Sequence, residues 1–513
     1  MNGAESLVRS LLASGVDTCF ANPGTSEMHF VAALDKVPEM RCVLCLAETV
    51  ATGCADGYGR MTGKPAATLL HCGPGFANGT ANVHNARRAN TPMVNIIGDH
   101  ATWHRPFDSP LTYDTEGIAR TVSHWVRSSG SSERTGADGA AAVQAALTPP
   151  GQIATLILPA DTAWGDGGQF ADPLPVPERS VVAPDTIRNV AAVLRKREHT
   201  VIVMSGQSLS EEGLVAAQRV AHASGAVLKT STQVPRIARG RGRVPVDRIP
   251  YAIEKAMDML GGVRHVVLVG ATPPTGFFGY PGKPSLLAPS DSQTHVLARP
   301  EEDAVTALNS LADELGAPAQ IEIPQGEIEP QLLRGAFEPL AFATTLAALL
   351  PENCIVSEDA VTSGRALFPP TFNAAPHDWI QITGGAIGQG FPTATGAALA
   401  CPERKVVCLQ ADGAGMYTLQ ALWTQAREKL DVVNVVFANR RYQILHGELL
   451  AVGATPGDAS NELFDLARPE LDWISLARGM GVEGARVDTL ESFADVFRSA
   501  CVKRGPFLIQ FNI

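Results

Sequence analysis

Short apolar runs alternate with segments of helical periodicity along most of the chain. Near the C-terminus, the runs at residues 406–409 and 432–437 are continuous, rich in β-branched residues and too short for helices, which is typical of buried parallel strands. Apolar residues between them recur at helical spacing, so the pattern predicts a β-α-β unit. Parallel strands bring their carboxyl ends to one edge of a sheet, and the residues that follow the two runs are therefore expected to lie together.

The same alternation divides the chain into three segments. The first covers residues 1–172 and ends at a Pro-rich stretch, the second covers 182–325 and ends at a charged, Pro-bearing stretch, and the third covers 335–513. This pattern predicts an α/β fold with three doubly wound parallel-sheet domains. The other predicted strands are 17–20, 42–47, 66–70, 93–97, 201–204, 266–269 and 507–511, and the predicted helices include 6–13 and 49–58.

Composition narrows the functional classes. The chain has 513 residues, of which 45% are hydrophobic and 18% charged, as in ordinary globular proteins. A net charge of -11 argues against nucleic acid or an anionic membrane as the main partner. No apolar run approaches the roughly 18 residues of a transmembrane helix, and the N-terminus lacks the layout of a signal peptide. We therefore expect a cytoplasmic protein.

The nine cysteines do not form a metal-binding pattern. Cys42 and Cys45 are spaced as a C-x-x-C pair, but zinc sites of this kind need a second pair, and none is present. Both are expected to be small core residues. Cys72 is left open as a reactive thiol, although no charged residue flanks it in sequence to lower its pKa.

Candidate chemistry lies where predicted strands end. Asp412 follows the first of the two apolar runs and Asn439 follows the second. A carboxylate and an amide oxygen suit a hard cation that also holds a diphosphate, although an Asp-Gly pair after a strand is also a common turn. Far upstream, Glu48 lies where a predicted strand turns into a helix. A carboxylate stabilised by a helix N-terminus is the simpler alternative for that residue.

Four further motifs accompany these residues. They are Asn-Pro-Gly at 22–24, Gly-Cys-Ala-Asp-Gly-Tyr-Gly-Arg-Met-Thr-Gly-Lys-Pro at 53–65, His-Cys-Gly-Pro-Gly at 71–75 and Gly-Gly-Ala-Ile-Gly-Gln-Gly-Phe-Pro at 384–392. Together with Gln-Ala-Asp-Gly at 410–413 and with Asn439, they resemble the motifs of thiamine diphosphate enzymes, in particular acetolactate synthases and benzoylformate decarboxylases. The resemblance extends across all three segments, and its motifs lie in both outer ones.

The resemblance implies a pyrimidine-binding, a central and a diphosphate-binding domain, with thiamine diphosphate and Mg²⁺ as cofactors. Glu48 would hydrogen-bond the aminopyrimidine ring, the carbonyl of Gly385 would bind its amino group, and Ile387 would support the cofactor beneath its two rings. The implied metal ligands are the side chains of Asp412 and Asn439 and the backbone carbonyl of Arg441. The full set of implied cofactor-binding residues is Asn22, Pro23, Gly24, Glu48, Gly385, Ile387, Asp412, Gly413, Asn439 and Tyr442.

His71 is the second implied catalytic residue besides Glu48, since benzoylformate decarboxylases carry a histidine at this place. It would position the substrate carboxylate or relay a proton, and a satisfied structural histidine is the alternative. Further candidates for the substrate pocket are Thr25, Phe76, Phe277 and Phe278.

The implied reaction is the decarboxylation of a 2-oxo acid, whose product is either released as an aldehyde or joined to a second carbonyl compound. The implied assembly is a homodimer or homotetramer with the site between subunits. One alternative is an oxidase with FAD in the central domain. The only sequence support for it is that Gly206 and Gly270 follow predicted strands. Another is a catalytically weak homologue that acts as a partner subunit, because Ala411 and Ala414 depart from the usual motif.

Overall fold

The computed structural model describes residues 1–513 and contains three sheets dominated by parallel strands, which confirms the predicted α/β class. Apolar runs form strands that are buried on both faces, because helices cover each sheet from two sides. None of the helices combines the length and the hydropathy that crossing a membrane requires.

The first sheet has six strands, all parallel. The strands are β1 (Thr18–Asn22), β2 (Arg41–Leu44), β3 (Ala66–Leu70), β4 (Met93–Asp99), β5 (Trp125–Ser128) and β6 (Ile153–Pro159). The helices are α1 (Gly3–Ala13), α2 (Met28–Leu34), α3 (Glu48–Thr62), α4 (Cys72–Ala89), α5 (Thr115–Val122), α6 (Thr135–Leu147) and α7 (Ala160–Trp164). The spatial order β2-β1-β3-β4-β6-β5 reverses direction between β1 and β3, and such a switch point opens a crevice at the carboxyl edge.

The second sheet belongs to the central segment and is also parallel. The strands of this segment are β7 (Thr200–Met204), β8 (Val227–Thr230), β9 (Ile237–Arg239), β10 (Asp247–Arg248), β11 (His265–Val269) and β12 (Gln293–Ala298). The helices are α8 (Pro184–Leu194), α9 (Glu211–Ser224), α10 (Ile253–Met259) and α11 (Ala304–Glu314). The order is β10-β8-β7-β11-β12, with a switch point between β7 and β11.

The third sheet has seven strands in the order β17-β18-β16-β15-β13-β14-β9. Its further strands are β13 (Ile355–Asp359), β14 (His377–Gln381), β15 (Val406–Ala411), β16 (Val432–Ala438), β17 (Glu483–Val487) and β18 (Phe507–Asn512). The helices are α12 (Pro339–Leu349), α13 (Gly390–Ala400), α14 (Asp412–Gly415), α15 (Ala421–Arg427), α16 (Gln443–Ala451), α17 (Asp458–Phe464), α18 (Trp473–Gly479) and α19 (Leu490–Val502). The switch point lies between β13 and β15.

One strand crosses the predicted segment boundaries. β9 comes from the central segment but pairs antiparallel with β14 at the edge of the third sheet. The ranges 1–172, 182–325 and 335–513 stay predictions, because the third sheet draws this strand from outside the last range.

Two helices hold the outer domains in backbone contact. A Cβ added to Gly57 of α3 would lie 2.1 Å from the carbonyl oxygen of Thr393, and one added to Gly396 of α13 would lie 1.9 Å from that of Cys54. Glycine therefore allows a crossing closer than side chains permit. The first and third sheets are fixed relative to each other through this crossing.

Three local predictions need correction. The strand predicted at 42–47 ends at Leu44, and Cys42 is exposed because β2 is the edge strand of its sheet, whereas Cys45 is buried as expected. The helix predicted between β15 and β16 covers only α15, because a short turn of helix, α14, and a loop precede it.

Candidate active site

Asn22, Pro23 and Gly24 lie at the switch point of the first sheet, where β1 ends. The side-chain amide of Asn22 donates to the carbonyl of Cys45 at 2.8 Å and so ties the end of β1 to the chain that leaves β2. A Cβ at Gly24 would lie 2.3 Å from the imidazole of His71. Only glycine fits there, and the turn therefore packs directly against the candidate histidine.

Glu48 is the first residue of α3, and its carboxylate is half-buried at the same edge. Oε2 accepts a hydrogen bond from the side chain of Asn78 at 3.3 Å. A Cβ at Gly75 would lie 2.8 Å from Oε1 of Glu48 and 3.3 Å from Cβ of His71. The two predicted catalytic residues are therefore neighbours.

Glu27 is a neighbour of His71 that the sequence motifs do not reveal. Its Oε2 lies 2.9 Å from Nδ1 of His71, and the Glu27 side chain is only 1% exposed. The available signal is its place three residues after Gly24, inside the turn that packs on the imidazole. A buried acid at that position has to find a partner, and the histidine is the cation-forming group beside it.

Cys72 follows His71 with a φ of 54°, in the left-handed region. Burial raises the pKa of its thiol to about 11, while a hydrogen bond with Ser26, whose Oγ lies 3.1 Å away, acts in the opposite direction. Its burial and raised pKa both disfavour the reactive thiol that the sequence left open at Cys72.

Asp412 and Asn439 lie together at the switch-point edge of the third sheet, as predicted. Oδ1 of Asp412 accepts from the backbone N–H of Gly413 at 2.8 Å, and Oδ2 accepts from that of Arg440 at 2.7 Å. Burial raises the pKa of this carboxyl to about 6. Oδ1 of Asn439 accepts from the backbone of Arg441 at 3.0 Å, and both line an open cavity of about 710 Å³.

Ala411 and Ala414, where the chain departs from the usual motif, fit the backbone of this corner. Ala411 has a φ of -74°, which any residue adopts, so its methyl group costs no backbone strain. A Cβ at Gly413 would lie 2.4 Å from Cε1 of Tyr442. Tyr442 therefore lies against Gly413, and Ala414 is buried behind them.

Gly385 and Ile387 lie on the loop between β14 and α13. Gly385 has a φ of 80°, and Cζ of Phe277 lies 2.5 Å from the position that a Cβ would occupy there. Ile387 is half-exposed, so it is not part of the core. The buried carboxylate of Asp359, which sequence reasoning did not single out, accepts from the backbone of Gly388 at 2.8 Å and fixes the loop from below.

The four candidates for the substrate pocket differ in how exposed their side chains are. Phe76 is fully buried, so its assignment to the substrate pocket is wrong, and it is a core residue of α4. Thr25 is exposed at the start of a short 3-10 helix. Phe277 and Phe278 keep 40% and 56% exposure and stack edge to face in the central-domain loop that reaches Gly385.

The two groups of predicted residues do not meet within one chain. Glu48 lies beside Gly75 near the start of α4, whereas the loop at Gly385 is held near the end of that helix, where Asn85 donates to the carbonyl of Ala386 at 2.8 Å. Ten residues of α-helix span ~15 Å. Within one chain, Glu48 and the Gly385 loop therefore lie beside points of α4 that are about three turns apart.

Comparison with known proteins identifies related sequences over the whole chain. Residues 1–120 match the model "Thiamine pyrophosphate enzyme, N-terminal TPP binding domain", and residues 367–511 match the corresponding C-terminal TPP binding domain. The "Putative acetolactate synthase large subunit IlvX" of Mycobacterium tuberculosis is 49% identical over 512 residues, covering 99% of this chain and 98% of that protein. The benzoylformate decarboxylase of Pseudomonas aeruginosa is 24% identical, covering 97% and 96%.

Solved structures share the fold. The thiamine diphosphate-dependent 4-hydroxybenzoylformate decarboxylase of Rhodococcus jostii RHA1 superposes with a TM-score of 0.85 at 23% identity, covering 99% of this chain and 98% of that one. Benzoylformate decarboxylase from Polynucleobacter necessarius gives a TM-score of 0.84 at 21% identity, covering 100% and 99%.

Proposed function

Because this chain belongs to the thiamine pyrophosphate enzyme family, related to acetolactate synthases and benzoylformate decarboxylases, we propose that it decarboxylates a 2-oxo acid with thiamine diphosphate and Mg²⁺. The observation that supports the proposal most is that the candidate residues follow strands at the carboxyl edges of two sheets. Glu48 and His71 follow β2 and β3 of the first sheet, and Asp412 and Asn439 follow β15 and β16 of the third.

The corner at Asp412 suits a cation that carries a diphosphate. Its buried carboxylate forms no ion pair with a lysine or arginine, and a divalent cation would offset the cost of that burial. The side chains of Asp412 and Asn439 and the carbonyl of Arg441 would be the protein ligands, all hard oxygen donors. Tyr442 and Gly413 would border the diphosphate.

The remaining residues would hold the organic part of the cofactor and the substrate. Glu48 would hydrogen-bond the aminopyrimidine and carry its proton, with Asn22, Pro23 and Gly24 beside it. When bound, thiamine diphosphate supplies a cationic ring that accepts the electrons left as carbon dioxide departs. Gly385 would offer its carbonyl to the aminopyrimidine, and Ile387 would support the cofactor from below. His71 would bind the substrate carboxylate or relay a proton at Nε2.

The proposed assembly is a homodimer or a dimer of dimers. The separation of ~15 Å along α4 supports this, because a second chain has to bring its Gly385 loop to the Glu48 of the first. A cytoplasmic location is proposed with it, since all nine cysteines are free thiols, as in a reducing compartment.

A substrate screen tests the proposal. The purified protein with thiamine diphosphate and Mg²⁺ should release carbon dioxide from at least one of pyruvate, 2-oxobutyrate, branched-chain or aromatic 2-oxo acids, with the product identified by mass spectrometry. Glu48→Gln should lower the rate by about 10²–10⁴-fold, because it removes the proton-carrying carboxylate. Glu116→Gln, on the exposed face of α5, is the matched control and should keep full activity. Activity that survives Glu48→Gln would contradict the proposal.

Two alternatives have separate readouts. For a flavin oxidase, Gly206 and Gly270 do line a central cleft of about 500 Å³. Three of the four arginine side chains that line it already bind carboxylates or carbonyls, namely Arg60, Arg179 and Arg236. Arg299, which is 64% exposed and lies 3.7 Å from Glu302, is the one guanidinium left for a flavin diphosphate. Flavin released on denaturation would favour the flavin oxidase. Cofactor binding without turnover of any substrate would favour a partner subunit.

A further inference from the structure

Glu27 is a buried carboxylate beside the candidate active site, and no lysine or arginine pairs with it. Its Oε2 accepts from the backbone N–H of Gly24 at 2.7 Å and faces Nδ1 of His71 at 2.9 Å. Its Oε1 accepts from the hydroxyl of Ser26 at 2.5 Å. Burying a carboxylate is costly unless it is hydrogen-bonded, and here both of its oxygens have partners.

The surrounding backbone leaves room for this arrangement. A Cβ at Gly98 in β4 would lie only 1.8 Å from Oε1 of Glu27, and a Cβ at Gly24 would lie 2.3 Å from the imidazole of His71. Glycine at these two positions lets the carboxylate and the ring approach each other between β1, β3 and β4. The pair is therefore built into three neighbouring strands of the sheet.

The pair also fixes which nitrogen of His71 remains available. A carboxylate can only accept a hydrogen bond, so Nδ1 of the imidazole has to carry the proton that it shares with Glu27. Ser26, whose Oγ lies 3.0 Å from Nδ1, already donates to Oε1 of Glu27. Nε2 makes no hydrogen bond within the chain, and the His71 side chain keeps 24% exposure at the edge that carries Glu48.

We propose that Glu27 is a positioning residue for the reaction: it holds His71 in the tautomer and orientation that present Nε2 to the 2-oxo acid. Glu27 itself touches neither substrate nor cofactor in this assignment, and acts only through the imidazole. A carboxylate behind a histidine serves this purpose in many active sites. The inference rests on the proposed 2-oxo acid activity for its kinetic consequence, but its structural part stands apart from that activity.

Kinetics of four variants test the positioning role. Glu27→Leu removes the acceptor and should lower kcat/KM on the order of 10²-fold. Glu27→Gln keeps an oxygen of the same reach and should recover part of that loss. In a His71→Ala background, Glu27→Leu should cause no further loss beyond ~2-fold. Thiamine diphosphate affinity, measured by titration, should stay unchanged in all of them.

A spectroscopic arm needs no substrate. In protein labelled with ¹⁵N-histidine at alkaline pH, with the His71 signals assigned by their loss in His71→Gln, the ring should carry its proton on Nδ1, and Glu27→Leu should release it to a mixture with the Nε2-protonated form. A proton on Nε2 in the wild type would overturn the proposal, as would equal losses from Glu27→Leu with and without His71. If Glu27→Leu fails to fold, Glu27→Gln and the wild-type spectrum still decide. If no 2-oxo acid is turned over, only the proposed function fails, and the spectrum still tests the pair.

Discussion

Asp412 shows how strongly the environment of one residue can indicate the kind of ligand that it binds. Both of its oxygens already accept backbone hydrogen bonds, yet burial still raises the pKa of the carboxyl to about 6. Such a group favours a bound cation, because the cation stabilises the charged form that burial disfavours. Asn439 adds a second oxygen at the same corner. Neither residue alone would indicate a cation site there.

His377 should make the free energy of unfolding depend on pH. Burial lowers the pKa of this imidazole to about 3, and Arg239 acts in the same direction. Because an unfolded histidine titrates near 6.5, the stability held by the neutral ring is full above ~6.5 and is lost as the pH falls toward 3. From pH 7 to pH 5, we expect His377→Phe to lose less unfolding free energy than the wild type, by up to ~2 kcal/mol. Urea unfolding at a series of pH values measures this. The exposed His222→Gln is the control, and parallel curves for His377→Phe and wild type would refute the prediction.

Residues that belong to a motif were predictable from sequence, and residues that support them were not. Asp412 and Asn439 follow apolar runs, so their meeting at one edge follows from strand polarity. Glu27 and Asp359 act through contacts with residues 44 positions or about 30 positions away in sequence, which no local pattern encodes. Phe76 shows the opposite error, because a place in a motif does not reveal which face of a helix is buried.

At the scale of elements, α16 spans the distance between two parts of the proposed site. It begins directly after Tyr442, which lies against Gly413, and it has no buried residues. Its Glu448 accepts hydrogen bonds from Tyr251 at 3.0 Å and from Tyr280, both in the central segment. Tyr251 in turn packs against Phe277, next to Gly385. The helix is therefore fastened to the central segment mainly through one carboxylate.

Removing that carboxylate should loosen α16. Glu448→Ala deletes two charge-assisted hydrogen bonds, each worth about 1.5–3 kcal/mol in favourable cases. We expect amide hydrogen exchange in residues 443–451, followed by mass spectrometry, to become at least several-fold faster. Glu462→Ala on α17, which only loses a surface ion pair with Arg468, is the control. Unchanged exchange in Glu448→Ala would show that other contacts hold the helix.

Prediction of elements succeeded where a single period governs a segment. β3 has the predicted bounds, because its apolar run is short and lies between Pro65 and the His71 that precedes α4. β9 escaped prediction as a member of the third sheet, since its partner β14 lies about 140 residues away and only tertiary packing selects the pairing. The helix predicted before β16 was too long, again because local pattern does not encode tertiary packing. Helical spacing continues through a loop whose apolar residues pack without forming a helix.

One buried ion pair joins all three segments of the molecule. Arg60 and Asp56 of α3 pair at 2.6 Å, with side chains 2% and 0% exposed. The same guanidinium donates to the carbonyl of Pro235 at 3.2 Å and to the hydroxyl of Thr383 at 2.9 Å, while Gln389 donates to Asp56. The network therefore links the first, central and third segments through the side chains of α3.

Breaking the network should be costly for the whole molecule. Asp56→Ala leaves a buried guanidinium without its partner, and we expect a loss of ~3–5 kcal/mol in unfolding free energy. Thermal unfolding should show a clearly lower melting temperature. Glu116→Ala removes the exposed pair with Arg120 and should change stability by less than ~1 kcal/mol. Equal melting temperatures for the two variants would contradict this assignment.

We propose that each thiamine diphosphate site is completed by two chains. Chains carrying Glu48→Gln and chains carrying Asp412→Ala, co-expressed with different tags and purified on both, test it through hydrogen–deuterium exchange at the reactive thiazolium carbon. Each variant alone should exchange at the rate of the free cofactor. In the hybrid dimer, one of the two sites combines an intact Glu48 with an intact Asp412 and should exchange fast. A hybrid as slow as its parents, with cofactor bound, would contradict a shared site.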